Sequence, residues 1–105
     1  YAVYGITSNA GKAENWYKKA AKAGDAEAQY LLSELLSKKD YTLASGEWLR
    51  KSADQGYGPA EFKIGLEYDQ RDQDYEQAKY WYKRSVEHGC EKAKYRLYQL
   101  EQEGK

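Results

Sequence analysis

Small and hydrophobic residues recur at helical spacing in three stretches of the chain, each of which contains one tryptophan. In each stretch a small residue is followed after three, four and seven positions by tryptophan, by tyrosine or leucine, and by another small residue. The stretches are Ala13-Trp16-Tyr17-Ala20, Ser45-Trp48-Leu49-Ser52 and Ala78-Trp81-Tyr82-Ser85. Because this spacing places all four residues on one face of an α-helix, the pattern predicts three amphipathic helices.

The tryptophans are 32 and 33 residues apart, and other positions keep the same step. A glycine follows each predicted helix, and an alanine comes four residues after each glycine. These residues are Gly24, Gly56 and Gly89 with Ala28, Ala60 and Ala93. Glycine most easily adopts the left-handed conformation just past a helix, so each helix is predicted to end there. Several positions in phase over three copies indicate a repeat architecture.

A second helix is predicted after each glycine. Asp25 is a good N-cap for a helix from Ala26 to Ser37. Pro59 stands where a first helical turn tolerates the missing N–H of proline. Each repeat therefore contains two helices, and the chain as a whole is predicted to form six.

Two polar segments, residues 37–40 and 69–74, are predicted to be return loops between repeats. Asp74, with Gln77 three residues later, resembles a capping box for the next helix. Carboxylate oxygens in this region suit calcium, but the calcium-binding loop of about 12 residues with its central glycine is lacking. A solvated loop is therefore expected for the acidic residues Asp69, Asp72, Asp74 and Glu76.

The small residues of the repeat have a predicted role in packing. Two helices approach to about 8 Å only where the side chains at the contact are small. The tryptophans are expected to fill the adjacent volume, each burying on the order of 200 Å². Since one repeat cannot bury these faces alone, neighbouring repeats must stack. We therefore expect an all-α fold, a right-handed α/α superhelix of about three helix-turn-helix repeats.

Two segments, residues 13–29 and 78–93, closely resemble the Sel-one-like repeat (SLR), a subclass of the tetratricopeptide superfamily. Their AENWYKKAAKAGDAEAQ and AKYWYKRSVEHGCEKA match its pattern of alanine, tryptophan-tyrosine, small residues and glycine. The resemblance extends over nearly the whole chain and implies a single SLR solenoid domain over residues 1–105. The expected units are roughly 1–24, 25–56 and 57–89, followed by a C-terminal capping helix over 90–103.

The two ends of the chain differ from the repeat. Tyr1 to Ile6 is similar to the tail of a first helix whose start is absent, which suggests a longer array upstream. At the other end, Tyr98 replaces the equivalent of Gly65, and a bulky ring there argues against a further repeat. Polar residues are expected to cap the array on this side, namely Gln99, Glu101, Gln102 and Glu103.

Charge and composition exclude several classes of function. Seventeen basic residues balance seventeen acidic ones, so no global field favours nucleic acid or an anionic membrane. The aromatic content of 15% and the periodicity argue against disorder. No apolar run approaches the roughly 18 residues of a membrane span. A soluble protein is expected, and with Cys90 as its lone cysteine the bacterial periplasm and cytoplasm are both compatible.

His88 and Cys90, on either side of Gly89, are the candidates for chemistry. One histidine and one cysteine supply at most half of a zinc site, and no third group is in view to orient them as a nucleophile pair. His88 is instead expected in the last helical turn, where partial positive charge complements the helix dipole. We therefore predict no catalytic residue, no metal, no cofactor and no enzymatic activity.

For function, the resemblance implies binding of another protein or peptide. On the tetratricopeptide scheme the first helix of each repeat lines a concave face. In the units given above, this is the helix that follows each glycine. One repeated position there is predicted to hold Tyr30, Phe62 and Tyr95, and the position four residues later Glu34, Leu66 and Gln99. Aromatic rings are enriched at interfaces. The alternative is that the three rings only pack between helices.

An interaction module of this class acts as an adaptor or an inhibitor. By analogy, a bacterial immunity protein that neutralises a toxin is one specific case. Two other hypotheses stay open from the sequence. One is a glycan or cell-wall binder whose exposed tyrosines stack on sugar rings, and the other is a hydrolase that uses His88 or Cys90.

Overall fold

The computed structural model describes residues 13–39 and 42–105, and all regular secondary structure in these residues is helical. Helix α1 covers residues 13–22, and a π-helical turn, Tyr68–Asp72, continues the fourth helix. The other helices are α2 (Ala26–Lys38), α3 (Thr42–Asp54), α4 (Gly58–Glu67), α5 (Tyr75–Glu87) and α6 (Lys92–Gln102). The molecule is elongated, 55 × 24 × 23 Å, and its helices pack on their neighbours along the chain. The predicted all-α repeat solenoid is confirmed.

The predicted helix ends at glycine are confirmed. Gly24, Gly56 and Gly89 have φ angles of +100°, +87° and +90°, in the left-handed region that side chains disfavour. After each glycine the next N–H turns back to the last helical turn. The Asp25 N–H, for example, donates to the Ala20 carbonyl at 3.0 Å. This is the Schellman arrangement, which satisfies carbonyls that the helix itself leaves without partners.

The predicted helix starts are confirmed as well. The Asp25 carboxylate accepts a hydrogen bond of 2.9 Å from the Ala28 N–H at the start of α2. Pro59 lies in the first turn of α4. Asp74 accepts from the Gln77 N–H at 3.2 Å, so Asp74 caps α5 as the spacing predicted. These contacts join residues at most a few positions apart, which is why the sequence alone reveals them.

The predicted return loop over residues 69–74 is wrong for most of its length. The chain stays helical as a π-turn through Asp72, and it reverses only at Gln73, whose φ is 52°. The reason is that Asp69 is 4% exposed and is held by partners on two later helices, so it is no solvated loop residue. At the other predicted loop, α2 continues to Lys38, whereas residue 40 and the tail predicted at residues 1–6 lie outside the described residues.

The small residues lie at close helix crossings, as predicted. A methyl group built on Gly65 would lie 2.7 Å from the ring of Tyr82, so α4 and α5 touch there without any intervening side chain. The serines also connect the helices. Ser85 Oγ donates to the Gly58 carbonyl at 2.8 Å, and Ser52 Oγ donates to the Ala26 carbonyl at 2.6 Å, which is the same contact one repeat earlier.

The expectation that every tryptophan is buried is wrong. Trp81 is 3% exposed, Trp48 is half-buried and Trp16 is 71% exposed. Trp81 packs on Ala53 of α3 and Ala60 of α4, the two helices that precede it in the chain. Among the described residues no helix precedes α1, so Trp16 has no corresponding crevice to enter. Position in the array therefore decides the burial of this ring.

Candidate functional site

A groove of about 660 Å³ lies between α2, α4 and the turn that joins α5 to α6. Its floor consists of four residues predicted from the repeat, and we call this set the groove residues: Tyr30, Glu34, Phe62 and Leu66. The α5–α6 turn, residues 88–91, and Lys92 at the start of α6 close one side of the groove. Pro59 and Lys63 complete the lining.

Helical spacing and the repeat together position the groove residues. Tyr30 and Glu34 are one turn apart on α2, and Phe62 and Leu66 are one turn apart on α4. Residues four positions apart lie on the same helix face. Since α2 and α4 are equivalent helices of consecutive repeats, the two pairs point to one common surface.

Both aromatic rings of the groove are half-buried, and each packs on another ring. The centroids of Tyr30 and Tyr57 are 5.5 Å apart, and those of Phe62 and Tyr82 are 5.9 Å apart. Each ring therefore has one edge in the packing between helices and another edge in the groove. The two alternatives for these rings, packing and binding, are not mutually exclusive.

Charged groups of both signs lie beside the apolar side chains of the floor. The Lys63 ammonium lies 5.8 Å from the centroid of the Tyr30 ring. Burial, with the negative charge of Glu34 nearby, raises the pKa of the Tyr30 hydroxyl above its ordinary value. Lys92 and Glu91 contribute one further charge of each sign. An apolar floor with a polar rim of mixed charge is typical of protein-binding surfaces.

Tyr95 and Gln99 do not line this groove. Both lie on α6, where Tyr95 is 70% exposed and its hydroxyl accepts a hydrogen bond of 3.3 Å from the Gln99 amide. Tyr95 contributes instead to a separate, shallower cavity of about 500 Å³ along α6. Of the six predicted positions, four line the groove, Tyr95 lines the second cavity, and Gln99 is hydrogen-bonded to Tyr95 on α6, because the α5–α6 turn closes the groove at the start of α6.

A buried acidic residue, Glu61, was missed by the sequence analysis. Glu61 is fully buried on α4, and its carboxylate accepts a hydrogen bond of 2.9 Å from Arg84 Nε. His88 Nδ1 lies 2.7 Å from its other oxygen. The hydrogen bond to Glu61 raises the pKa of Arg84. His88 is the C-cap of α5, as expected, but its ring also packs against this buried carboxylate.

The same polar contact exists one repeat earlier, where Gln55 Nε2 donates to Gln29 Oε1 at 2.9 Å. Gln29 and Gln55 stand 32 and 33 residues before Glu61 and His88, so the repeat step relates the two pairs. That register is the signal from which the contact could have been found. It indicates that His88 contributes to packing between helices, and Cys90 lies half-buried beside it in the groove wall.

A second buried acid, Asp69, connects the last three helical segments. Arg96 donates to both carboxylate oxygens of Asp69, from Nε to Oδ2 and from Nη2 to Oδ1, the latter at 2.8 Å. The Tyr82 hydroxyl also donates to Asp69, at 2.9 Å. The bond from Arg96 holds the pKa of Asp69 below its ordinary value. Burial and the bond to Asp69 raise the pKa of Tyr82. In residues 13–39 and 42–105 no group of three or more ligating side chains could hold a metal ion.

Comparison with known families decides the class of the protein. The family model described as Sel1 repeat matches three consecutive segments, residues 3–25, 26–57 and 58–90, which together make up most of the chain. The chain belongs to the Sel1 repeat family. Sel1 repeats are generally protein–protein interaction modules. Comparisons with curated proteins and with solved structures gave no significant match for this Sel1 repeat protein.

The family assignment agrees with the helices that the structure describes. Each matched segment ends one residue past a helix-terminating glycine, so the boundaries of the Sel1 repeats fall at the left-handed turns. None of the helices in the described part of this Sel1 repeat protein is long and apolar enough to cross a bilayer.

Proposed function

We propose that this Sel1 repeat protein binds a peptide or a short segment of a partner protein in the groove between α2 and α4. The observation that carries the proposal is the cavity of about 660 Å³ whose floor brings together Tyr30, Glu34, Phe62 and Leu66. An adaptor and an inhibitor would use this groove in the same way. The immunity protein that neutralises a toxin is the specific inhibitor we propose.

The physical basis of the proposed affinity is an apolar floor that is already ordered. Tyr30 and Phe62 are held by Tyr57 and Tyr82, so binding immobilises little that was free. A partner side chain that covers these rings gains about 25 cal/mol for each Å² of apolar surface removed from water. Glu34 in the floor and Lys63 in the rest of the lining favour a segment that carries charges of both signs beside its apolar residue.

Tyr95 and Gln99 enter the proposal as a second contact region. Because they lie on α6 beyond the turn that closes the groove, they would contact only a partner that extends past this turn. A short peptide would therefore depend on Phe62 and be insensitive to Tyr95. A whole partner protein would be sensitive to both.

The test is selection of binders from a random peptide library displayed on phage, followed by affinity measurement on variants. Phe62→Ala removes an aromatic anchor, and such truncations cost about 2 kcal/mol or more at hot spots. We therefore expect at least about thirtyfold weaker binding. The matched control is Tyr80→Ala, which truncates a tyrosine that is 51% exposed on α5 and does not line the groove.

Phe62 also packs on Tyr82, so its variant must first show a native circular dichroism spectrum. Lys63→Glu keeps the test decisive if Phe62→Ala is unstable, since Lys63 lines the groove and belongs to no core cluster of the described residues. Selected peptides whose affinity is unchanged in folded Phe62→Ala and in Lys63→Glu would show that the groove is not the binding site.

A further inference from the structure

Helix α6 presents a face whose equivalents on α2 and α4 are each covered by the helix that follows. Helix α3 packs on α2, and α5 packs on α4 in the same way. The repeat step of 33 residues places Lys94 at the position of Glu61 and Tyr98 at the position of Gly65. Glu61 and Gly65 are buried under α5, whereas Lys94 is exposed and Tyr98 is 59% exposed.

The covered face of α4 shows what a covering helix must provide. Glu61 is paired by Arg84 of α5 at 2.9 Å, so the charge that faces α5 is matched by an opposite charge. Gly65 leaves room for the ring of Tyr82, since even a methyl group at Gly65 would lie 2.7 Å from it. A cationic residue and a large residue on the covering helix thus meet an acidic residue and a glycine.

Both of these features are inverted on α6. Lys94 replaces the acid, and the whole side chain of Tyr98 replaces the glycine. Helices α1, α3 and α5 have Lys19, Lys51 and Arg84 at one position of the repeat, and Tyr17, Leu49 and Tyr82 at another. On α6 each of them would place cation against cation and a large side chain against the Tyr98 ring.

A second copy of this chain is therefore a poor occupant of the α6 face. Burying Lys94 against another cation would leave both charges unpaired, which disfavours this packing. The same inversion defines a helix that does fit. It has an acidic residue where α5 has Arg84, and a small residue where α5 has Tyr82.

We infer that the exposed face of α6 is a docking site for an amphipathic helix of a partner protein, with an acidic residue paired to Lys94 and a small residue packed over Tyr98. The cavity of about 500 Å³ on this face is lined by Tyr95, Leu97 and Tyr98, and its charged residues are Lys94, Glu91 and Glu101, so Lys94 is the cation available to an acidic partner residue. Its rings and leucine supply the apolar surface for the docked helix. This site is separate from the groove, so a negative result at α6 would leave the proposed binding in the groove intact.

The probe is an alanine-based helical peptide with glutamate at the position that corresponds to Arg84, and alanine where α5 has Tyr82. The control peptide has lysine at the glutamate position. Close charge pairs at interfaces contribute enough that reversal of one partner weakens binding at least about tenfold. We therefore expect fluorescence anisotropy to show at least about tenfold tighter binding of the glutamate peptide.

Variants locate the contact. Lys94→Glu should reverse the preference, so that the lysine peptide binds more tightly. Because Lys94 is exposed, we expect this variant to fold as the wild type does. Lys83→Glu makes the same change of charge at an exposed site on α5 and should leave the preference as in the wild type. This control separates a local pair from an effect of net charge.

Three outcomes would overturn the inference. The first is equal affinity for the two peptides, or binding of neither. The second is an unchanged preference in Lys94→Glu, or nuclear magnetic resonance shifts at Tyr30 and Phe62 in place of the α6 face. The third is self-association of the wild-type chain in sedimentation that Tyr98→Ala abolishes, which would make a second copy the occupant.

Discussion

Replacing Gly65 by alanine gives a direct test of the helix crossing on which the repeat depends. Gly65 lies in the middle of α4, and the added methyl would meet two ring carbons of Tyr82 at 2.7 Å. The ring cannot easily retreat, because Tyr82 is fully buried and its hydroxyl donates to Asp69 at 2.9 Å. The chain must therefore separate the two helices or displace the ring.

The expected effect follows from three contributions. Overpacking of this kind costs about 1–3 kcal/mol. A displaced ring also weakens the hydrogen bond to Asp69, which adds about 1 kcal/mol. Alanine in place of glycine in a helix interior contributes about 1 kcal/mol in the opposite direction. The net loss in the free energy of unfolding is about 2 kcal/mol, or a decrease in Tm of roughly 8 °C or more.

Gly46→Ala is the matched control, because Gly46 lies inside α3 and an added methyl there would meet no heavy atom within 4 Å. Only the helical preference changes, so this variant should gain about 1 kcal/mol. Urea unfolding followed by circular dichroism measures both changes in the free energy of unfolding, provided that its dependence on urea concentration, the m-value, is the same in each variant. If Gly65→Ala were as stable as Gly46→Ala, the close approach of α4 and α5 would be refuted.

Two further predictions concern polar groups in the core. Because Arg96 lowers the pKa of Asp69, their contact contributes stability above the ordinary pKa of an aspartate, about 4, and this stability is lost as the pH falls through the lowered value. Asp69→Asn should therefore flatten the dependence of the free energy of unfolding on pH below about 4, and an unchanged slope in acid titrations followed by circular dichroism would contradict this. Ser85→Ala removes the hydrogen bond to the Gly58 carbonyl and should cost about 1 kcal/mol in urea unfolding. The exposed Ser37→Ala is its control and should change stability by less than about 0.5 kcal/mol; equal effects would refute a contribution from the Ser85 contact.

The sequence by itself determined the helices, their starts, the ends at glycine and the repeat, but not the π-helical continuation of α4 through Asp72. Asp25, Pro59 and Asp74 act on backbone groups within about one turn of themselves, and the glycines act through their own φ angles. Interactions of such short range depend on neighbours in the chain and can be deduced from spacing. The groove residues were found because the step of the repeat transfers a position on α2 to the equivalent position on α4.

Only the tertiary structure decided which of the equivalent residues are buried and which polar groups meet. Trp16 and Trp81 occupy the same position of the repeat, yet one is exposed and the other buried, because Trp81 packs against α3 and α4, whereas no described helix precedes Trp16. Glu61 and His88 are 27 residues apart, as are Asp69 and Arg96, and their contacts exist only once the helices stack. Burial of a charge depends on partners that are distant along the chain, and a pattern of local spacing contains no record of them.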